Sequence, residues 1–309
     1  MSVKKTPEVL IIGATDAGFA ACRRLVEARP DWKITLLSQE EQLPYSRGLL
    51  PDYLEGKVKK RGIFLCEEDF FLKHKLEFIS GAAVSGVDFV RQRVLLRNNR
   101  RLAYDYLIIA GGRKPALDIP GRNKEGVFLF FGLSDAEDIK QRLSIPGSVV
   151  VCGGEVDARR LAGFFASAGR QVKLLVEAGG TPSTVAAQEE NPEVMADIRI
   201  EEIIGEGREL KAVRLSSGKI IEASSVFFCC RENPCLDFAA GGPVAIENGF
   251  IAVDAGLRAG AGNVFACGEV CGVPGTATRE LTADEARAQG AGAADGILEE
   301  ESRKAEAVV

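Results

Sequence analysis

The sequence predicts an α/β fold of two doubly wound domains with parallel central sheets, the second inserted in the first. Three observations carry this. Val9-Leu10-Ile11-Ile12-Gly13-Ala14-Thr15-Asp16-Ala17-Gly18 has the form strand, glycine turn, helix. Val149-Val150-Val151-Cys152-Gly153-Gly154-Glu155-Val156-Asp157-Ala158 repeats it about 140 residues later. The candidate strands are short β-branched runs without alternation, as in sheets buried on both faces. A period that long signals duplicated βαβ units and not a solenoid. Each unit reads as a Rossmann-like domain, a three-layer ββα/βαβ stack.

The elements follow in order. Val9–Ile12 is a buried strand, Asp16–Glu27 a helix and Ile34–Leu37 the second strand. Residues 58–75 are polar and helical in part. Ala82–Phe89 and Arg93–Arg97 are short strands, with a hairpin turn at Asn98-Asn99. Tyr106–Ala110 is buried and ends at Gly111-Gly112. Ser134–Leu143 leads into the second glycine turn, its helix Asp157–Gly169 and its strand Val172–Val176. Ile198–Ile204, Ala212–Leu215, Val226–Cys230 and Asn263–Cys267 supply further strands, and Thr282–Leu298 a last helix. Lys114–Gly126 and Glu232–Gly242, rich in Pro, Gly and Asn, read as linkers. The first domain is therefore expected over residues 1–114 and 240–298 and the second over 115–239. Residues 299–309 read as a frayed tail.

Composition narrows the function. A net charge of −5 argues against a general nucleic-acid binder or membrane-surface protein. No signal peptide or long apolar run is evident, so a cytoplasmic location is the default expectation. None of the eight cysteines forms C-x-x-C, and most sit in apolar runs, so buried reduced thiols are expected and no metal site. The single histidine, His74, lies in a polar stretch. A mechanism that needs a His base is thereby nearly excluded.

Both glycine turns fit G-x-G-x-x-G/A, which brings backbone amides at a helix N-terminus against a pyrophosphate. In each, the middle glycine is replaced, by Thr15 and by Glu155. Glu40 and Glu177 stand where an acid would accept ribose hydroxyls. A threonine is tolerable at the turn. A carboxylate about 5 Å from a phosphate costs about 3 kcal/mol at an effective dielectric constant of about 20, unless it turns away or pairs with Arg159 or Arg160.

Several stretches taken together resemble the FAD-dependent pyridine nucleotide–disulfide oxidoreductase superfamily. Leu43-Pro44-Tyr45-Ser46-Arg47-Gly48-Leu49-Leu50 is similar to a segment of nitrite-reductase flavin domains, rubredoxin reductases and ferredoxin reductases. Ala110-Gly111-Gly112-Arg113-Lys114-Pro115, Arg231-Glu232-Asn233, Asn263-Val264-Phe265-Ala266-Cys267-Gly268-Glu269 and Ala288-Gln289-Gly290-Ala291-Gly292-Ala293-Ala294 follow in family order. The resemblance implies an FAD site of Gly13, Ala14, Thr15, Gly18, Glu40, Arg47, Val84, Ala110, Gly111, Gly112, Gly268, Glu269, Gln289 and Gly290. Arg47 would contact the pyrophosphate, Glu269 the ribityl hydroxyls and the Val84 segment the adenine. The helix near Gln289 would point its positive end at the flavin. Gly153, Gly154 and Glu177 would form an NADH site. Glu177 would repel a 2′-phosphate and so favour NADH over NADPH.

The departures from the family also inform. Arg47-Gly48 stands where the peroxidase branch has its redox cysteine, and the interface domain of the glutathione-reductase branch is not expected here. The reading is an FAD-dependent oxidoreductase with no residue in a covalent catalytic role. It would pass electrons from NADH to a carrier protein or partner subunit without a thiol relay. Cys267-Gly268-Glu269-Val270-Cys271-Gly272 is also similar to flavoprotein subunits of heteromeric amine, opine and proline-type dehydrogenases. That leaves a competing reading: an FAD-binding subunit with a degenerate NAD domain, serving assembly of a heteromeric dehydrogenase.

Overall fold

The structure is a computed structural model that describes residues 6–112, 117–142, 146–153, 156–176, 192–229, 236–239, 242–260, 262–272 and 281–307. It divides into two compact units. One comprises Met1–Gly48, Arg61–Arg113 and Asn233–Val309; the other comprises Leu49–Lys60 and Lys114–Glu232.

The first unit is built on a five-stranded sheet in the order Val264–Ala266, Tyr106–Ile109, Glu8–Ile12, Lys33–Leu37 and Glu77–Ile79. All four pairings are parallel. The apolar runs explain this: Tyr106 to Ile109 are all buried, as a strand covered on both faces must be. The first helix, Asp16–Ala28, buries Ala17, Gly18, Phe19, Ala21, Cys22, Leu25 and Val26 at helical spacing. The last helix, Ala283–Glu306, packs beside it. A three-stranded antiparallel sheet of Val84–Asp88, Arg93–Leu96 and Arg101–Ala103 joins the same core through Val94 and Leu96. Its turn is the one expected at Asn98-Asn99, where Asn99 adopts φ 65°.

The last helix runs past position 298, so residues 299–306 are helical and not frayed. Side-chain contacts hold this turn. Lys304 Nζ donates to the Tyr106 hydroxyl at 2.6 Å, and that hydroxyl donates to Glu301 at 2.7 Å. Arg258 donates to Glu300 at 2.5 Å. Arg303 and Lys304 also suit the negative end of the helix.

The second unit has its own parallel sheet, in the order Glu193–Ala196, Val172–Val176, Val149–Cys152, Ser225–Phe228 and Val127–Leu129. An antiparallel sheet of Ile200–Glu206, Glu209–Leu215 and Ile220–Glu222 closes a core with Val150, Cys152, Leu175, Val226 and Phe228. The segment Leu49–Lys60 belongs to this unit, although it lies within the stretch expected to form the first domain. Arg160, on the helix Val156–Ser167, donates to Asp52 at 2.6 Å and to Glu55 at 3.3 Å. Lys140, on the helix Leu133–Arg142, donates to the Tyr53 carbonyl at 3.1 Å and lies 3.9 Å from the centre of the Tyr53 ring.

Candidate functional site

The first glycine turn is fixed by sterics. Gly13 has φ +106°, and a Cβ there would lie 2.5 Å from the Ala110 carbonyl oxygen. Its N–H donates to Leu37 O at 2.9 Å, tying the turn to the neighbouring strand. A Cβ at Gly18 would stand 1.9 Å from Gly13 O, so the helix rests directly on the turn. Thr15 is the N-cap of that helix, with φ −78° and ψ 175°, a backbone any residue adopts. Its hydroxyl donates to Ala110 O at 2.8 Å and accepts from Gly18 N–H at 3.2 Å. The threonine side chain is thus turned onto the end of the sheet, and the replaced glycine has gained a cap. Thr15→Ala is expected to lower stability by about 1 kcal/mol. Denaturant unfolding checks this; an unchanged midpoint would mean that the cap contributes nothing.

A Cβ at Gly112 would lie 3.1 Å from Arg47 Nη1 and 4.0 Å from Thr15 Cγ2. Arg47 Nη2 donates to Glu40 Oε1 at 2.7 Å, and the Tyr45 hydroxyl donates to Glu40 Oε2 at 2.6 Å. The expected phosphate cation and ribose acid are therefore neighbours on one rim. Gly81 N–H donates to Glu40 O at 3.1 Å and Ala82 N–H to Ser38 O at 2.7 Å, which brings the start of the Val84 strand beside that rim.

The strand Val264–Ala266 delivers a second turn. Gly268 has φ +79°, and its N–H donates to Gln289 Oε1 at 2.8 Å. Glu269 follows in the 3-10 turn Gly268–Val270. Cys271 Sγ donates to Gly268 O at 3.2 Å and also lies 3.6 Å from Gln289 Oε1; burial pushes this thiol up to about 11. Gly290 packs against the first helix: a Cβ there would lie 2.0 Å from Ala17 O. Sequence reasoning missed Asp16, whose carboxylate accepts from Ser46 Oγ at 3.0 Å and from Arg287 Nη1 at 2.7 Å. Its one sequence signal was an acid in a first helical turn, since Arg287 is distant in the chain.

In the second unit Gly153 has φ +149°, and a Cβ there would meet Ala158 Cβ at 2.9 Å. Gly154, Glu155 and Glu177 lie outside the described residues. Arg160, one of the two arginines offered as a partner for Glu155, donates to Asp52 and Glu55. Of the described cysteines, Cys22, Cys152, Cys229 and Cys267 are buried, and Cys66 and Cys271 half-buried. Burial pushes Cys22 up to about 12 and Cys66 to about 11. Among the described residues no group of three His, Cys, Asp or Glu could hold a metal. None of the described helices is long and apolar enough to cross a membrane.

The first unit thus sets a capped helix N-terminus, an acid–arginine pair and a second turn at the carboxyl ends of parallel strands, where such sheets take ligands. The Gly13 turn packs on the Ala110–Gly111 backbone, and the Arg47 side chain lies against Gly112. These features, with an inserted second glycine-turn unit, define an FAD-dependent oxidoreductase. The chain belongs to the pyridine nucleotide-disulphide oxidoreductase family, whose model matches residues 7–290. It is 26% identical over 278 residues to the 3-phenylpropionate/cinnamic acid dioxygenase ferredoxin–NAD(+) reductase component of Photorhabdus laumondii, covering 85% of this chain and 69% of that protein. It is 28% identical over 280 residues to rhodocoxin reductase of Rhodococcus erythropolis, covering 86% and 65%. The crystal structure of the ferredoxin reductase for the CYP199A2 system from Rhodopseudomonas palustris superposes with a TM-score of 0.83 at 25% identity, covering 94% of this chain and 75% of that one. The chain spans about two thirds of the length of the two curated relatives.

Proposed function

We propose that the chain takes electrons from NADH and passes them through FAD to an electron-carrier protein. The observation that carries this reading is the intact first turn, in which Thr15 caps the helix and Arg47 lies against Gly112 beside it. Two relatives named as reductases, one of them of ferredoxin, supply the class of acceptor. FAD, when bound, accepts a hydride and releases electrons singly. The chain's own residues bind and orient. The first-turn amides of Asp16 and Ala17, which a helix leaves without internal partners, would hold the pyrophosphate. Arg47 would add a charge-assisted contact, and Glu40 would accept ribose hydroxyls. Glu269 would accept from the ribityl hydroxyls, and the helix that carries Gln289 would turn its positive end to the flavin.

Among the described thiols, burial pushes Cys22 up to about 12 and Cys66 and Cys271 to about 11, so at neutral pH these three are protonated and poor nucleophiles.

An absorbance spectrum before and after NADH tests the reading. The purified protein is expected to be yellow and to bleach on NADH addition, then to recover its colour as a carrier such as a ferredoxin is reduced. A colourless protein that FAD cannot reconstitute overturns the cofactor assignment. A yellow protein that stays oxidised for minutes in excess NADH overturns NADH as donor and points to a partner subunit as the source of electrons.

A further inference from the structure

The cofactor reading leaves one arrangement unexplained. Asp16 is the first residue of the phosphate-binding helix, and its side chain is only 12% exposed. A second carboxylate at that spot opposes the anion the helix is built to receive. Two groups hold it: Ser46 Oγ donates to one oxygen, and Arg287 Nη1, from the first turns of the last helix, donates to the other. Arg287 Nη2 also donates to Asp284 at 2.7 Å, on the exposed side. Arg287 and Asp284 are the charged neighbours from the last helix; Ser46 comes from the segment that also carries Arg47, which pairs with Glu40.

We propose that Asp16 makes the chain's affinity for its dinucleotide pH-dependent: ionised, its carboxylate opposes the pyrophosphate, and Arg287 limits that opposition. The proposal rests on the FAD assignment above and adds a regulation of that site. A fixed negative charge within about 10 Å of a phosphate, in a setting of effective dielectric constant about 20, changes affinity about tenfold. Burial raises the Asp16 carboxyl above its ordinary value, although Ser46 and Arg287 act against the rise. Protonation therefore begins at a higher pH than for a solvated aspartate. The folded, cofactor-free chain should then bind FAD more tightly as pH falls through that range, because the opposing charge is lost.

The experiment is a titration of apoprotein with FAD from pH 4.5 to 8, read by quenching of flavin fluorescence. Three proteins are compared: wild type, Asp16→Asn and Arg287→Met. At pH 8, Asp16→Asn is expected to bind about tenfold more tightly and Arg287→Met about tenfold more weakly than wild type. Wild type should approach the Asp16→Asn value as pH falls, while Asp16→Asn stays flatter. A bridge that only ties the two helices together predicts weaker binding in both variants, and that outcome overturns the proposal. So does wild type with the same pH profile as Asp16→Asn. Failure of all three proteins to take up FAD at any pH overturns the cofactor assignment, and with it this proposal.

Discussion

Replacing Gly290 with alanine is expected to destabilise the first unit by about 3 kcal/mol or more and to release its cofactor. The added Cβ would lie 2.0 Å from the Ala17 carbonyl oxygen and 2.8 Å from its carbon, both backbone atoms that no rotamer change can move. The helices would have to separate. The last helix is not free to yield: a Cβ at Gly296 would already lie 2.8 Å from the Phe265 ring, and Arg24 bridges to Asp295 at 2.7 Å. Ala17 is also the residue behind Gly268, where a Cβ would come within 3.0 Å of Ala17 Cβ. Separation at Gly290 therefore propagates into both turns of the candidate site. Thermal unfolding should show a fall of about 6–12 °C, with flavin fluorescence rising early in the transition. A melting point unchanged within about 2 °C, with FAD retained, would mean that the helices separate at little cost.

The second large effect concerns the other glycine turn. Glu155→Gly is expected to tighten NADH binding about a hundredfold, the equivalent of about 3 kcal/mol for a carboxylate about 5 Å from a phosphate. Relief could come from Arg159 or Arg160; Arg160 already donates to Asp52 and Glu55. Titration of the wild type and variant with NADH checks the figure. A change smaller than about threefold would mean that the carboxylate already points away from the phosphates.

The central sheets were legible because each parallel strand is an apolar run between turn residues, and burial on both faces dictates that pattern. Glu77–Ile79, Val127–Leu129 and Glu193–Ala196 were not read as strands. All three are short edge strands, half-buried or exposed, and so lack the apolar signature. Within the site, Gly13 and Gly18 were legible from spacing alone, because the turn needs them. Long-range partners were not. That Arg287 would reach Asp16, or that Gly290 would press on Ala17, depends on how two helices far apart in sequence pack together. The segment Leu49–Lys60 was misplaced for a similar reason: nothing in its local pattern says which core claims it.

The assignment of Leu49–Lys60 bears on how the chain acquires its structure during synthesis. On the ribosome this segment emerges long before Lys140 and Arg160, its partners. The first five-stranded sheet must wait longer still, because its edge strand Val264–Ala266 and the helix that packs on Asp16–Ala28 are made last. The inserted unit, complete once Ser225–Phe228 has been made, is therefore able to settle first. The nascent first unit meanwhile has an uncovered strand edge at Tyr106–Ile109, the surface on which premature pairing with another chain would begin.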